Sequence, residues 1–335
     1  MLVGGQFLVT GGTGFIGRHV VGQLLNRGAS VRVLSRRAEK SAALFGDKVQ
    51  IVQGDLLDAA SLRSACKGVQ TVIHAGGFYR FGRHHRSQLF NVNVRGTSNL
   101  LEAAWDNRVE RFVHVSSAGI LDNPSAPVTE RDFPRSVSVH EPYRRSKWEA
   151  EMMALDWAKR GLPVTVGCPT SVLGAGDAAP TPTGCIVLDF LRRRFPFTAR
   201  TALNFIHAGD LATGILAVME RGKVGERYLL GHHNLWLADF LGMVARVTGL
   251  NAPTRFMPWG LIAAIGGIDE VVGALVFNGR TRVCWETTAY ARRRQFFNLS
   301  KTSGDLGWSA QMPIEEIVCD SVRWFQAMEQ STASP

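Results

Sequence analysis

A tyrosine and a lysine separated by three residues, in Tyr143-Arg-Arg-Ser-Lys147, carry the first chemistry legible in this chain. In a helical segment residues i and i+4 share a face, so phenol and ammonium can point into one site. A neighbouring ammonium favours tyrosinate and would draw the phenol down from ~10 toward the working pH. Tyr143 is then a candidate general acid or base; the plain alternative is a surface Tyr and a surface Lys. A second group is Ser116-Ser117, which closes the apolar run Val113-His-Val115. Ligands of an open parallel sheet bind outside the carboxyl ends of its strands, so Ser117 falls where a substrate oxygen could accept its hydrogen bond. The same pair could instead cap the following loop. The third is Asn93, in Asn91-Val-Asn-Val-Arg-Gly-Thr97. Asparagine suits a helix interior poorly, which predicts a specific hydrogen-bonding role there.

Elements must hold these groups together. Short apolar, β-branched runs at 7–10, 31–34, 49–53, 71–74, 111–115 and 164–167 alternate with helical patterns starting near Gly14, Glu39, Asp58, His85 and Pro142. That alternation predicts a parallel sheet with helices on both faces. The first strand runs into Gly11-Gly-Thr-Gly-Phe-Ile-Gly17, a G-x-x-G-x-x-G turn opening a helix. Gly11 would permit a tight turn, Gly14 would let backbone N–H groups approach a pyrophosphate, and Gly17 would let the helix lie close on the sheet. Phosphates would then sit at the positive end of the helix dipole. After Gly167 the chain becomes rich in proline and glycine, marking the start of a smaller region over the substrate.

The 335 residues, 45% of them hydrophobic, suffice for two subdomains, 1–167 for a dinucleotide and 168–335 mainly for substrate, with some later segments returning to the first. No opening signal peptide is visible. Five scattered cysteines, none in C-x-x-C spacing, read as reduced buried thiols of a cytoplasmic protein and not as a disulfide frame or a metal site. A net charge of +10, clustered at Arg36-Arg37, Arg192-Arg-Arg194 and Arg292-Arg-Arg294, reads as a solvated basic face. No common nucleic-acid-binding motif accompanies it. Residues 257–277 are apolar except for Asp269 and Glu270. A span needs ~20 residues with few charges, so a buried or membrane-touching helix pair is expected instead. A peripheral membrane contact and a homodimer stay open.

Taken in order, these motifs resemble the extended short-chain dehydrogenase/reductases of the NAD-dependent epimerase/dehydratase superfamily. Thr10-Gly-Gly-Thr-Gly-Phe-Ile-Gly17 resembles its cofactor turn, which brings in Thr13, Phe15 and Ile16. Gly54-Asp55-Leu56 is similar to its adenine-contacting segment, His74-Ala75-Gly76 to its strand-4 motif, and Asn93-Val-Arg-Gly-Thr97 to its N-V-x-G-T. The resemblance implies a Rossmann-type doubly wound sheet and a Ser117–Tyr143–Lys147 triad, with Asn93 supporting a proton-relay water. It also implies that Lys147 binds the nicotinamide ribose and that Pro169 and Ser171 lie beside the nicotinamide. The nearest likeness is to the dihydroflavonol-4-reductase-like group and its bacterial branch labelled hopanoid-associated sugar epimerase.

An NAD site usually presents Asp or Glu at the end of the second strand, whereas this chain offers Ser35, Arg36 and Arg37. Arginine pairs a 2′-phosphate, so NADP(H) is favoured, with NAD(H) as the other option. A pocket is expected from Phe78, Tyr79 and Phe81, the loop 175–184 with Thr183, and Phe195 and Phe197. Such a lining suits a bulky, fairly apolar carbonyl or alcohol, although the same aromatics could simply close the core between subdomains. Two other readings stand beside a carbonyl reductase. One is a nucleotide-sugar epimerase or dehydratase, with Arg192–Arg194 or Arg282 on a diphosphate. The other is a non-catalytic dinucleotide sensor.

Overall fold

The computed structural model describes residues 5–125, 127–264, 267, 286, 289, 292, 293 and 295–333. Seven parallel strands form the main sheet in the order β3-β2-β1-β4-β5-β6-β9. They are β1 Gln6–Thr10, β2 Ser30–Ser35, β3 Gln50–Gln53, β4 Thr71–His74, β5 Arg111–Val115, β6 Val164–Pro169 and β9 Arg227–Leu230. A smaller sheet, β10-β8-β7, is built from β7 Ser171–Leu173, β8 Ala202–His207 and β10 His233–Trp236.

Strand alternation explains how helices come to cover both faces of the main sheet. Phe7 and Val9 of β1 enter one core with Val20, Val21 and Leu24 of α1 (Phe15–Asn26) and Leu211, Ile215 and Val218 of α8 (Ala208–Arg221). Leu8, between them, points to the other face. There it meets Leu62 of α3 (Ala59–Cys66), Leu100 of α5 (Gly96–Asp106) and Ala154 of α6 (Pro142–Lys159). The buried positions of α1 recur at spacings of three and four, the single stripe a two-layer contact needs. Asp58 caps α3, its carboxylate accepting from the backbone of Ala60 and Ser61 at 3.0 and 3.3 Å. Other helices among the described residues include α2 (Ala38–Phe45), α4 (Arg86–Leu89), α7 (Pro182–Leu191), α9 (Leu237–Thr248), α10 (Ser300–Leu306) and α11 (Ile314–Ala333). Buried side chains of α7, α9 and α11 pack together against the small sheet.

The sixth predicted strand runs two residues further than expected, to Pro169, because β9 continues the ladder to Pro169↔Leu230. Thus the chain after 167 returns to the main sheet with β9 and covers it with α8. Among the described residues no helix is long and apolar enough to cross a membrane. Most of 257–277 lies outside the described residues, as do Arg282, Cys284 and Arg294. Cys66 and Cys168 are buried free thiols as expected, but Cys185 and Cys319 are only half-buried.

Candidate active site

The turn between β1 and α1 is shaped around its glycines. Gly11 has φ +68, and a Cβ there would lie 2.6 Å from the Gly76 backbone at the end of β4. A Cβ on Gly17 would fall 2.1 Å from the Gly11 carbonyl. Those two contacts are what let α1 start directly against the ends of β1 and β4. Gly14 caps α1 without any side-chain bond, and the first turn holds no acidic residue. The amino-terminal N–H groups are therefore left for an anion. Arg18, one residue past Gly17, has a buried Nε with no partner among the described residues. A nicotinamide dinucleotide fits this cradle: backbone donors, close-packed glycines and the unpartnered Nε of Arg18 would be available to its pyrophosphate.

The rest of the cofactor candidates line the same edge. Thr13, Phe15 and Ile16 belong to the turn and the first turn of α1. Asp55 closes the loop after β3 by accepting from the backbone N–H of Leu57 at 2.9 Å, and Leu56 is tied to α5 through Asn99. His74 bridges Thr10 Oγ1 (2.7 Å) and Thr97 Oγ1 (3.0 Å). Burial pushes His74 down to about 3, with Lys147 adding to the effect, so it is neutral. Ala75 and Gly76 follow, and Gly76 N–H donates to Thr10 Oγ1. Pro169 ends β6 and Ser171 opens β7, both at the carboxyl edge of the main sheet. Ser35 folds the end of β2 by bonding the Arg37 backbone, while Arg36 and Arg37 stand exposed.

The catalytic candidates converge on α6. Tyr143, 7% exposed, is hydrogen-bonded to Ser117, which follows β5. Its ring lies 4.5 Å from that of Tyr79 and 5.5 Å from that of Phe81. Lys147 Nζ donates to the Val115 carbonyl at 2.8 Å. Burial lowers Lys147 to about 8, with the Glu151 carboxylate acting against it. The expected pull of Lys147 on the phenol is not what the structure presents. Burial pushes Tyr143 well above its ordinary value, the Ser117 bond opposes this, and the Glu286 charge adds to it. With its ammonium engaged by a carbonyl, Lys147 leaves desolvation to dominate, and the phenol is protonated.

Asn93 sits in a turn of π-helix, 90–95, joining α4 to α5. Its amide accepts from Phe78 N–H (2.7 Å) and donates to Phe78 O and to Ser146 Oγ, both at 3.0 Å. It is the specific hydrogen-bonding role expected of an asparagine in that place, spent on clamping the β4–α4 loop to α6. Phe78 faces His85 at 5.4 Å. Of the other pocket candidates, Thr183 is buried in the first turn of α7 and Phe195 packs against the small-sheet core. Phe197 is 38% exposed beside the Thr198–Phe256 bridge. Among the described residues neither Thr183 nor Phe197 makes a hydrogen bond or ring contact with Tyr143. Two arginines of the 192–194 cluster are already paired, Arg192 with Glu329 at 2.7 Å and Arg194 with Asp189 at 3.2 Å. A separate concavity lined by Trp105, Arg108, Gly161 and Pro163 lies at the amino ends of β5 and β6, away from Tyr143. Among the described residues no cluster could hold a metal ion.

Residues 7–231 match the NAD dependent epimerase/dehydratase family. The chain belongs to that family. It is 35% identical over 327 residues to a putative dihydroflavonol 4-reductase of Synechocystis sp., covering 96% of this chain and 94% of that one. It is 32% identical to sterol demethylase protein B of Methylococcus capsulatus, covering 95% and 98%. The crystal structure of PA4631, a nucleoside-diphosphate-sugar epimerase from Pseudomonas aeruginosa, superposes with TM-score 0.81 at 26% identity, over 97% of this chain and 99% of that one. The Rossmann-type doubly wound sheet and the oxidoreductase-like family membership read from the motifs thus both stand.

Two carboxylates of the site were not among the expected residues. Glu286, 1% exposed, accepts from the backbone N–H groups of Tyr143 (2.8 Å), Arg144 (3.1 Å) and Gly82 (3.4 Å). It caps α6 from a position 143 residues away, and nothing in the local sequence signals it. Glu151, also 1% exposed, lies two turns beyond Tyr143 on the Tyr143–Lys147 face. Extending the four-residue spacing once more would have found it.

Proposed function

We propose that the protein is an NADP(H)-dependent reductase of a bulky, fairly apolar ketone or aldehyde, working through Ser117, Tyr143 and Lys147. The observation that carries this reading is a buried, protonated Tyr143 phenol bonded to Ser117 and walled by the rings of Tyr79 and Phe81. A protonated phenol is ready to donate, which is what carbonyl reduction asks of it; oxidation first would ask for tyrosinate. The bound nicotinamide would supply the hydride.

The remaining steps belong to the chain. Ser117 Oγ holds the substrate oxygen beside the phenol, and Tyr143 Oη delivers its proton there as negative charge develops. Lys147, buried one turn away, contributes positive charge and reaches the nicotinamide ribose. The turn containing Gly11, Thr13, Gly14, Phe15, Ile16 and Gly17 takes the pyrophosphate, and Asp55 and Leu56 flank the adenine. His74, Ala75 and Gly76, with Pro169 and Ser171, border the nicotinamide half. Arg36, exposed at the end of β2, pairs the 2′-phosphate. Asn93 positions the aromatic wall through Phe78, its Oδ1 accepting from Phe78 N–H and its Nδ2 donating to Phe78 O and Ser146 Oγ. Residues 1–167 bind the cofactor with help from β9 and α8, and the small sheet with its helices closes over substrate.

Relatives named for a dihydroflavonol and a sterol, both polycyclic and bulky, support this substrate class. The engagement of Arg192 and Arg194 in ion pairs weighs against a diphosphate there. The test is to mix enzyme, NADPH deuterated at C4 on each face in turn, and a panel of carbonyls. Deuterium on the product alcohol carbon is expected. Purified protein that carries undialysable NAD⁺ and interconverts nucleotide-sugar epimers without added cofactor would overturn the reading.

A further inference from the structure

The face of α6 that carries Tyr143 and Lys147 continues one turn further to Glu151, in a setting where a carboxylate is costly. Glu151 is 1% exposed. Its Oε1 accepts from Arg227 Nε at 2.6 Å, and its Oε2 accepts from Ser116 Oγ and from Cys168 Sγ at 3.8 Å. Those partners follow or lie on β5, β6 and β9, so the carboxylate is gripped by the ends of three adjacent strands. Arg227 is itself fixed, its guanidinium 3.9 Å from the centre of the Phe133 ring and donating to the Glu130 carbonyl.

Among the described residues, the titratable groups that act on Lys147 or are acted on by it are Glu151, Cys168, His74 and His114, with Tyr143 one turn earlier on α6. Burial keeps Cys168 a thiol and Tyr143 a phenol. His74 and His114 are neutral for the same reason. The Val115 carbonyl contributes a dipole. Of these groups Glu151 is the carboxylate, and it is itself paired with the Arg227 guanidinium.

We propose that Glu151 is a positioning residue which keeps Lys147 in its charged, ribose-binding form, so that the Ser116–Glu151–Arg227 chain sets the upper pH limit of the site. This rests on reading Lys147 as the ribose ligand. Without that carboxylate the ammonium loses its proton at lower pH, and cofactor binding weakens while the fold and the turn around Gly11 are unchanged.

The experiment measures NADPH affinity by nucleotide fluorescence from pH 6 to 9 in wild type, Lys147→Met and Glu151→Gln. In wild type, affinity should fall on the basic side with a midpoint near 8, the value to which Lys147 is lowered. In Lys147→Met that limb should vanish. In Glu151→Gln it should move down by about one pH unit, giving about threefold weaker binding at pH 7.5, about eightfold at pH 8.5, and none of the loss at pH 6. Glu151→Asp, which keeps the charge, should restore the wild-type limb. If Glu151→Gln does not fold, the paired apolar replacement Glu151→Leu/Arg227→Leu, which removes the nearer negative charge together with its cation, should move the limb in the same direction by a smaller amount. A limb that stays at 8 without Glu151, or a loss equal at every pH, overturns the proposal and leaves the reading of Lys147 intact. A limb that survives in Lys147→Met overturns both.

Discussion

Replacing Glu286 by Gln should change how the stability of this protein depends on pH. The buried carboxylate accepts three backbone N–H groups, yet burial still raises it to about 7 from 4.5, with the neighbouring Glu141 charge adding to the rise. A raised carboxyl is more comfortable protonated in the fold than in the unfolded chain. Its stabilising contribution is therefore complete below pH 4.5 and is lost as pH climbs through 7. Integrating the two titrations between pH 5 and pH 8 gives a loss of about 2.5 kcal/mol at about 1.36 kcal/mol per unit. Glutamine cannot ionise and escapes that loss. Its amide oxygen can keep the bonds from Tyr143 and Arg144, although the NH₂ group then faces the Gly82 N–H, costing a roughly constant 1–3 kcal/mol. Urea unfolding at pH 5 and pH 8 should thus show wild type losing about 2.5 kcal/mol more than Glu286→Gln over this window. Parallel pH dependences would refute the placement of an ionising carboxylate on the amino end of α6.

Other consequences can be checked independently. Tyr143→Phe should retain NADPH binding and lose most turnover, since only the proton donor is removed; wild-type turnover would sink the mechanism. Arg36→Ala should weaken NADP(H) by roughly ten- to a hundredfold while leaving NAD(H) nearly unchanged, as expected for one charge-assisted bond of about 1.5–3 kcal/mol; equal losses would make Arg36 structural. Asp58→Ala removes the cap of α3 and should lower stability by about 1 kcal/mol without altering cofactor affinity. Gly11→Ala should abolish cofactor binding or folding outright, because φ is +68 and its Cβ would lie 2.6 Å from Gly76; a folded, binding variant would contradict the packed turn.

What could be read in the chain beforehand divides along physical lines. Strands β1 to β6 and the helices around them were legible because period-two and period-3.6 patterns report which face is buried, and the cap at Asp58 is a local signal. The close-packed glycine turn between β1 and α1 was legible because glycine spacing encodes backbone approach. The charge state of Tyr143 was not. Spacing puts Lys147 on the phenol's face, but only the packed structure says that its ammonium is held by Val115 and that desolvation wins. Asn93 was half legible: its discomfort in a helix predicts a specific bond, but the partner, the Phe78 backbone, is fixed by the tertiary structure. Thr183 and Phe197 enter as pocket candidates by residue type and place along the chain, which carry no geometry.

Helix α6 also shows why the second half of the chain escaped such reading. Helix α6 is amphipathic in an unusual sense, burying Arg144, Lys147 and Glu151 along with its apolar residues. Each needs a partner from elsewhere. Arg144 takes the Ile120 carbonyl and Glu141, Lys147 takes Val115, and Glu151 takes Arg227. Glu141 is in turn paired with Arg293, and the first-turn N–H groups of the helix with Glu286. Three of these contacts come from residues beyond 220, so a sequence window around Tyr143 contains the candidate groups but not the charges set around them. The C-terminal half thus reaches the chemistry through the charge it supplies to α6 as well as through any surface it offers a substrate. Substitutions at Arg227, Glu286 or Arg293 should accordingly alter the pH dependence of the site without touching a bound molecule.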